Sequence, residues 1–263
     1  MAVLADLVVH LERIAPLRLA ADWDSVGLLV APRRESIGRL MTCLSLTPAV
    51  AAEAVRERAD LVVTHHPLPF RPVGRITPDS GPGRVLLELI HAGCGIWSSH
   101  TAWDSAAGGV NDQLAAMLGL EHVAPIEPDA ELPLAGFGRA GSAPRGLTVG
   151  GLARLAGGRL AATTVQIVGD QARPAGRVGV VCGSGGDAIA QVRRGGCDTL
   201  LTGELRLHHA LEAEAAGLTV VAVGHHASER FALSSLAARI AEAFPGLACW
   251  ASADDRDPFA PLA

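Results

Sequence analysis

The sequence predicts an α/β protein built as two similar lobes, and two observations carry that reading. Short apolar runs of four to six residues alternate with helical patterns along the chain, the order that gives largely parallel sheets covered by helices. The order of elements then repeats. RERADLVVTHH in the first half is echoed by RRGGCDTLLTGE in the second, and HAGCGIWSSHTAWD by EAAGLTVVAVGHHASE. With 263 residues, 49% of them hydrophobic, the chain has apolar material for two compact cores. The proline- and glycine-bearing stretch over 121–146 marks the boundary, giving an N-terminal lobe over 1–124 and a C-terminal lobe over 125–263.

Each element has a local cause. MAVLADLVVHLERIAPL is an amphipathic helix whose pattern includes Asp6, His10 and Glu12, so it does not read as a signal peptide. Thr47 and Pro48 supply an N-cap and a first-turn proline for the helix through AVAAEAVRERA. LVVT (61–64) is a buried strand, VLLELIHAG a helix closed by Gly93, GIWSSH a strand, and VNDQLAAMLG a helix closed by Gly119. Beyond the boundary come a helix near 147–156, strands at 162–168 and 177–182, and the turn CGSGGD leading into AIAQVRRGG. Strand DTLLTG, helix ELRLHHALEAEAAG, strand LTVVAVG and one helix over SERFALSSLAARIAEAF complete the expected fold.

Composition narrows the function. The net charge of −5, with no basic tail or stripe, argues against a nucleic-acid-binding surface. No apolar run approaches the roughly 18–20 residues that cross a bilayer. The five cysteines are odd in number and form no CxxC, which points to reduced core residues and a cytoplasmic location. Gly183-Ser184-Gly185-Gly186 lacks the lysine of a P-loop, since all 22 basic residues are arginine, and reads as a tight turn.

The histidines are not scattered. Six of the ten form the pairs His65-His66, His208-His209 and His225-His226, and two of these pairs follow apolar strands. A third strand delivers His100, with Asp104 four positions on, and His225 and Glu229 share that spacing. Ligands collect at the carboxyl ends of strands in α/β sheets, so the expected site is a cleft between the lobes. His65, His66, Asp104, His225 and Glu229 supply three imidazoles and two carboxylates. These are too many donors for one catalytic zinc with three protein ligands and suit two metals. His208-His209 falls within a helix and reads first as a helix-face pair, with reach to the site as the lesser alternative; a lone strand-end histidine is ordinarily a hydrogen-bonded structural group, and three strand-end clusters reverse that expectation.

The motifs ADWDSVGLLV, LVVTHHPLPF, SSHTAWDSAAGGVNDQLA, VCGSGGD, LLTGELRLHHALEAEAAGLTVV and GHHASE, in this order, resemble the NIF-three family (NGG-one interacting factor three-like), whose bacterial members often carry the name GTP cyclohydrolase I type 2. The resemblance spans most of 20–120 and 175–235. It implies a two-lobed NIF-three-like fold assembled as a homohexamer, a trimer of dimers. It also implies a dinuclear centre held by the same five residues, with two divalent ions per chain drawn from Zn, Fe, Mn, Co or Ni. Two positions depart from the family pattern, Ala102 where Asn is usual and Ser45 where Asp is common. The stretch between the lobes is too short for the large inserted domain of some relatives.

The activity implied is metal-dependent hydrolysis of a nucleotide, with opening of the GTP purine ring as the named chemistry. His100 is the candidate proton shuttle, or else a group that orients the ligands. The alternatives are a non-catalytic metal-binding toroid or metal chaperone, and a dinuclear phosphoesterase. Turnover dependent on His100, and release of formate or of phosphate, would separate them.

Overall fold

The computed structural model describes residues 1–259 and is a mixed α/β fold in two compact units. Unit 1 comprises Met1–Trp103 and Ala232–Arg256, and unit 2 comprises Asp104–Phe231 with the described residues from Asp257. The chain changes unit at Trp103, earlier than the 124/125 boundary read from the sequence, and its C-terminal segment rejoins unit 1. Hydrogen bonding explains both shifts. Ala248–Ala251 pairs in parallel with Arg39–Cys43, and Glu121–Ala124 pairs with Arg139–Ser142. The stretch 121–146 therefore supplies two strands of the main unit 2 sheet and a small ladder of Glu127–Pro128 with Gly136–Phe137.

Unit 1 has a five-stranded sheet in the order Ala248–Ala251, Arg39–Cys43, Leu61–Thr64, Gly95–Ser98, Gly27–Val30. The first four run parallel and the last is antiparallel. Helices Pro48–Arg56 and Gly81–Ala92 cover one face, packing Val50, Ala54, Leu86 and Leu89 on Met41, Val62 and Ile96. Both begin as the sequence directs. The Thr47 side chain accepts from Val50 N, Ser80 accepts from Gly83 N, and each helix has proline in its first turn.

Unit 2 has a six-stranded sheet in the order Gln166–Val168, Thr219–Ala222, Thr199–Glu204, Arg177–Ser184, Arg139–Ser142, Glu121–Ala124, with the central three parallel. Those three alternate in step. Val180, Leu201 and Val221 pack under helices Val110–Met117 and Val149–Leu160, while Val181, Leu200 and Val220 pack under Ile189–Arg194 and Leu207–Ala215. Adjacent residues thus enter opposite cores, which is why these strands are continuous apolar runs and not alternating ones. Each large aliphatic side chain buried this way contributes about 2 kcal/mol.

Two elements differ from the sequence reading. The long C-terminal helix is broken at Phe231 into His225–Arg230 and Ala232–Ala243, and that break is also where the chain changes unit. The strand Ala248–Ala251 has no alternating pattern and is defined by its distant partner. Among the described residues no helix is long and apolar enough to cross a membrane.

Candidate metal centre

In unit 1 the strand Leu61–Thr64 is wholly buried and ends in the histidine pair. The ladder continues past it: His65 N donates to Cys43 O and His66 N to Leu44 O, each at 2.9 Å. Ser98 Oγ donates to His65 O at 2.7 Å and Thr64 Oγ1 to His66 O at 3.0 Å, so both backbones are fixed by buried hydroxyls. The neighbouring strand Gly95–Ser98 brings His100 to the same end. Ligand nitrogens of His65, His66 and His100 all lie within 4.8 Å of one another. His100 holds φ +28, a strained setting for a residue with a Cβ.

Outer contacts orient these rings. His66 Nδ1 is 2.7 Å from Ser45 Oγ, and His100 Nδ1 is 2.8 Å from Asp24 Oδ1. Burial raises the Asp24 pKa, but hydrogen bonds from His100 and Thr101 more than offset it, and the net shift is downward. A carboxylate held ionised on Nδ1 fixes the His100 tautomer and directs Nε2 outward, the second-shell arrangement of metal-binding histidines. Ser45, where the family commonly has Asp, thus contacts a ring of the cluster directly.

Unit 2 assembles carboxylates. Helix His225–Arg230 follows the strand Thr219–Ala222, and its i,i+4 spacing sets His225 Nε2 3.2 Å from Glu229 Oε2. His225 Nδ1 lies 3.0 Å from Glu204 Oε1, at the end of the adjacent strand. Burial lowers the His225 pKa, but Glu229 and Glu204 outweigh it and hold the imidazolium up to about 9. The two carboxylates thus favour positive charge on the ring between them. Space is kept at Gly183, where φ is +65 and a Cβ would stand 2.2 Å from Glu229 Oε1 and 3.2 Å from His225 Nε2.

Asp104 lies in unit 2, and its Oδ1 is 3.3 Å from Cys182 Sγ. Burial, then Asp104 and Glu229, push the Cys182 thiol well above its usual pKa, so a neutral S–H faces the carboxylate. Asn111 joins this pair, donating to Asp104 O and accepting from Cys182 N. Buried Arg139 fixes the preceding loop, donating to Ala106 O at 2.8 Å and pairing with Asp112 at 2.5 Å.

His65, His66 and His100 are thus brought together in unit 1, and His225 and Glu229 in unit 2. His209 has other work. Its Nδ1 accepts from Arg206 N at 3.4 Å, and its Nε2 is 3.3 Å from Asp187. Sequence reasoning missed Asp24, Cys182 and Glu204 as partners of site residues. Each carried one signal, its position in a quoted motif: Asp24 in ADWDSVGLLV, Cys182 in VCGSGGD and Glu204 in LLTGEL. The donor types fit borderline divalent cations: imidazoles, two of them with outer hydrogen bonds, and carboxylates.

The chain matches the family model Duf34/NIF3 (NGG1p interacting factor 3) over residues 2–258. It is 31% identical over 257 residues to a Clostridium perfringens protein named GTP cyclohydrolase 1 type 2 homolog, covering 97% of this chain and 98% of that one. A Streptomyces coelicolor protein of the same name is 35% identical over 231 residues, covering 86% and 81%. Among solved structures, a Bacillus cereus protein related to NIF3 superposes with a TM-score of 0.91 at 20% identity, covering 99% of each chain. That likeness speaks to the fold.

Proposed function

The chain belongs to the Duf34/NIF3 family, and on that premise we propose that it is a metal-dependent hydrolase acting on a nucleotide. His65, His66, Asp104, His225 and Glu229 are the proposed ligands of two divalent ions. The observation that carries the reading is the convergence of His65, His66 and His100 within 4.8 Å, with two of the rings oriented from outside. Bound there, divalent ions would supply Lewis acidity and bring the ionisation of water towards neutral pH.

The chain's own groups have definite tasks. Asp24 holds the proton on His100 Nδ1, which leaves Nε2 to accept a proton from water and return it to the leaving nitrogen. Glu204 orients His225. Cys182 donates to Asp104 Oδ1, which helps to fix that carboxylate. The name shared by the relatives suggests GTP as substrate: one water adds at C8 of the purine and the ring opens to a formamide, and a second water cleaves that amide, so that formate leaves and the amine is freed.

Elemental mass spectrometry of protein purified without chelator, beside the double variant His65→Ala/Glu229→Ala, tests the site. About two metal equivalents per chain in the parent and a large loss in the variant are expected. Incubation with GTP should then release formate. Phosphate release instead would replace ring opening with phosphoester hydrolysis, and bound metal with no turnover would leave a metal-carrying role. A parent that takes up no metal even after reloading would overturn the reading.

A further inference from the structure

Unit 1 carries a second feature at the opposite end of its sheet from the histidines. A cavity of about 390 Å³ lies at the amino ends of the strands that begin at Arg39, Leu61 and Gly95, lined by Arg33, Arg34, Arg39 and Arg58 around one carboxylate, Asp60. That carboxylate is already occupied, since its Oδ2 accepts from Gly38 N at 2.8 Å and Arg39 N at 3.0 Å. Arg39 is committed as well. Its Nε donates to Glu57 O, its Nη2 is 3.5 Å from Glu57 Oε2, and its guanidinium lies 5.0 Å over the Trp250 ring. Arg33, Arg34 and Arg58 have no carboxylate partner among the described residues. In a chain of net charge −5, three uncompensated guanidiniums around one cavity are a local exception.

The backbone is shaped to hold them. Gly93 takes φ +75 and its carbonyl accepts from Arg33 N at 2.9 Å; a Cβ at 93 would stand 2.9 Å from Arg33 Cβ. Arg58 is more telling. It follows the helix Pro48–Arg56 with φ +53, in the turn closed by the bond from Ala59 N to Ala54 O. Helix ends of this kind take glycine, which has no steric cost there. This chain keeps arginine, accepting backbone strain where the side chain lines the cavity.

We propose that this cavity binds a small polyanion bearing two or more phosphate groups, at a site distinct from the histidine cluster. Guanidinium forks match phosphate oxygens in pairs. The volume falls in the range of small-ligand sites. A nucleic-acid strand would call for a basic track beyond the cavity, which the sequence lacks.

The test is calorimetric titration of the full chain, as purified, with inorganic tripolyphosphate at about 0.15 M salt. Binding by the parent is expected, with about tenfold weakening in Arg33→Ser and in Arg58→Gly. Arg58→Gly should also melt no lower than the parent, because glycine relieves the φ, so its loss of affinity cannot be ascribed to unfolding. His65→Ala/Glu229→Ala should retain the isotherm, which keeps this outcome separate from that of the proposed metal chemistry. Parent-like binding by both arginine variants, loss in the histidine–glutamate variant instead, or equal competition by sulfate would each overturn the proposal.

Discussion

Unit 1 and unit 2 both bring side chains to the carboxyl ends of parallel strands, but unit 1 presents nitrogen and unit 2 presents oxygen. Two of the three rings of unit 1, His100 and His66, are oriented by Asp24 and Ser45, partners placed behind them. In unit 2 a histidine is itself held between Glu229 and Glu204, and the room for their charge depends on a residue without a side chain at Gly183. The same topology therefore prepares donors in two ways. One orients imidazole rings through outer hydrogen bonds, and the other gathers carboxylates around a histidine.

Three changes would break or sharpen this contrast. The largest effect is expected from Gly183→Ala. The new methyl meets Glu229 and the residue must keep φ +65, so unit 2 should lose about 2 kcal/mol or more of stability in urea melts, together with the Glu229 position. An unchanged melt and unchanged metal content would show that the carboxylate has room elsewhere. Next comes Asp24→Asn, which leaves the imidazoles of unit 1 in place but removes the charge behind His100. Metal affinity or turnover should fall roughly tenfold to hundredfold, with little change in melting.

The smallest effect is a pH dependence confined to the part of unit 1 where the C-terminal segment returns. Glu53 is buried and accepts from Ser252 Oγ, Trp250 Nε1, Ala253 N and Asp254 N. Burial raises its pKa, yet these bonds outweigh it and the net shift is downward from 4.5. A depressed folded pKa adds stability above the unfolded value, and that stability is lost as pH falls through the folded one. Urea midpoints of Glu53→Gln and parent should therefore converge as the pH falls below 4.5 through the lower folded pKa, with the parent more stable above 4.5. A gap independent of pH would mean that packing, and not ionisation, supplies the contribution.

The chain yields its local elements readily and its long-range ones poorly. The Thr47-Pro48 start, the Gly93 stop and the strands after Asp60 and Leu218 follow from capping and apolar runs, and the structure has each of them. The strand Ala248–Ala251 was hidden because its pairing with Arg39–Cys43 reaches across almost the whole chain. His65, His66 and His100 could be grouped from sequence because neighbouring strands deliver them together. Their partners could not: Asp24 meets His100 from 76 positions away, and Cys182 meets Asp104 from 78. Cys182 was read with the core cysteines. It is buried as expected, but its thiol faces a carboxylate, which no spacing rule reveals. The arginine cavity was invisible for the same reason, since net charge averages over positions that only folding gathers.

The returning strand also sets an order of birth. Nearly all of unit 2 is one continuous stretch, whereas unit 1 lacks its edge strand until residues 248–251 have been synthesised. On the ribosome, the later-encoded unit can therefore finish first while the earlier one waits with Arg39–Cys43 exposed along one edge. An unpaired edge of buried-type residues is a template for mispairing between chains. For this protein the vulnerable interval lasts until residues 248–251 emerge, and a chain cut short before that strand would be prone to aggregate through the unit that was made first.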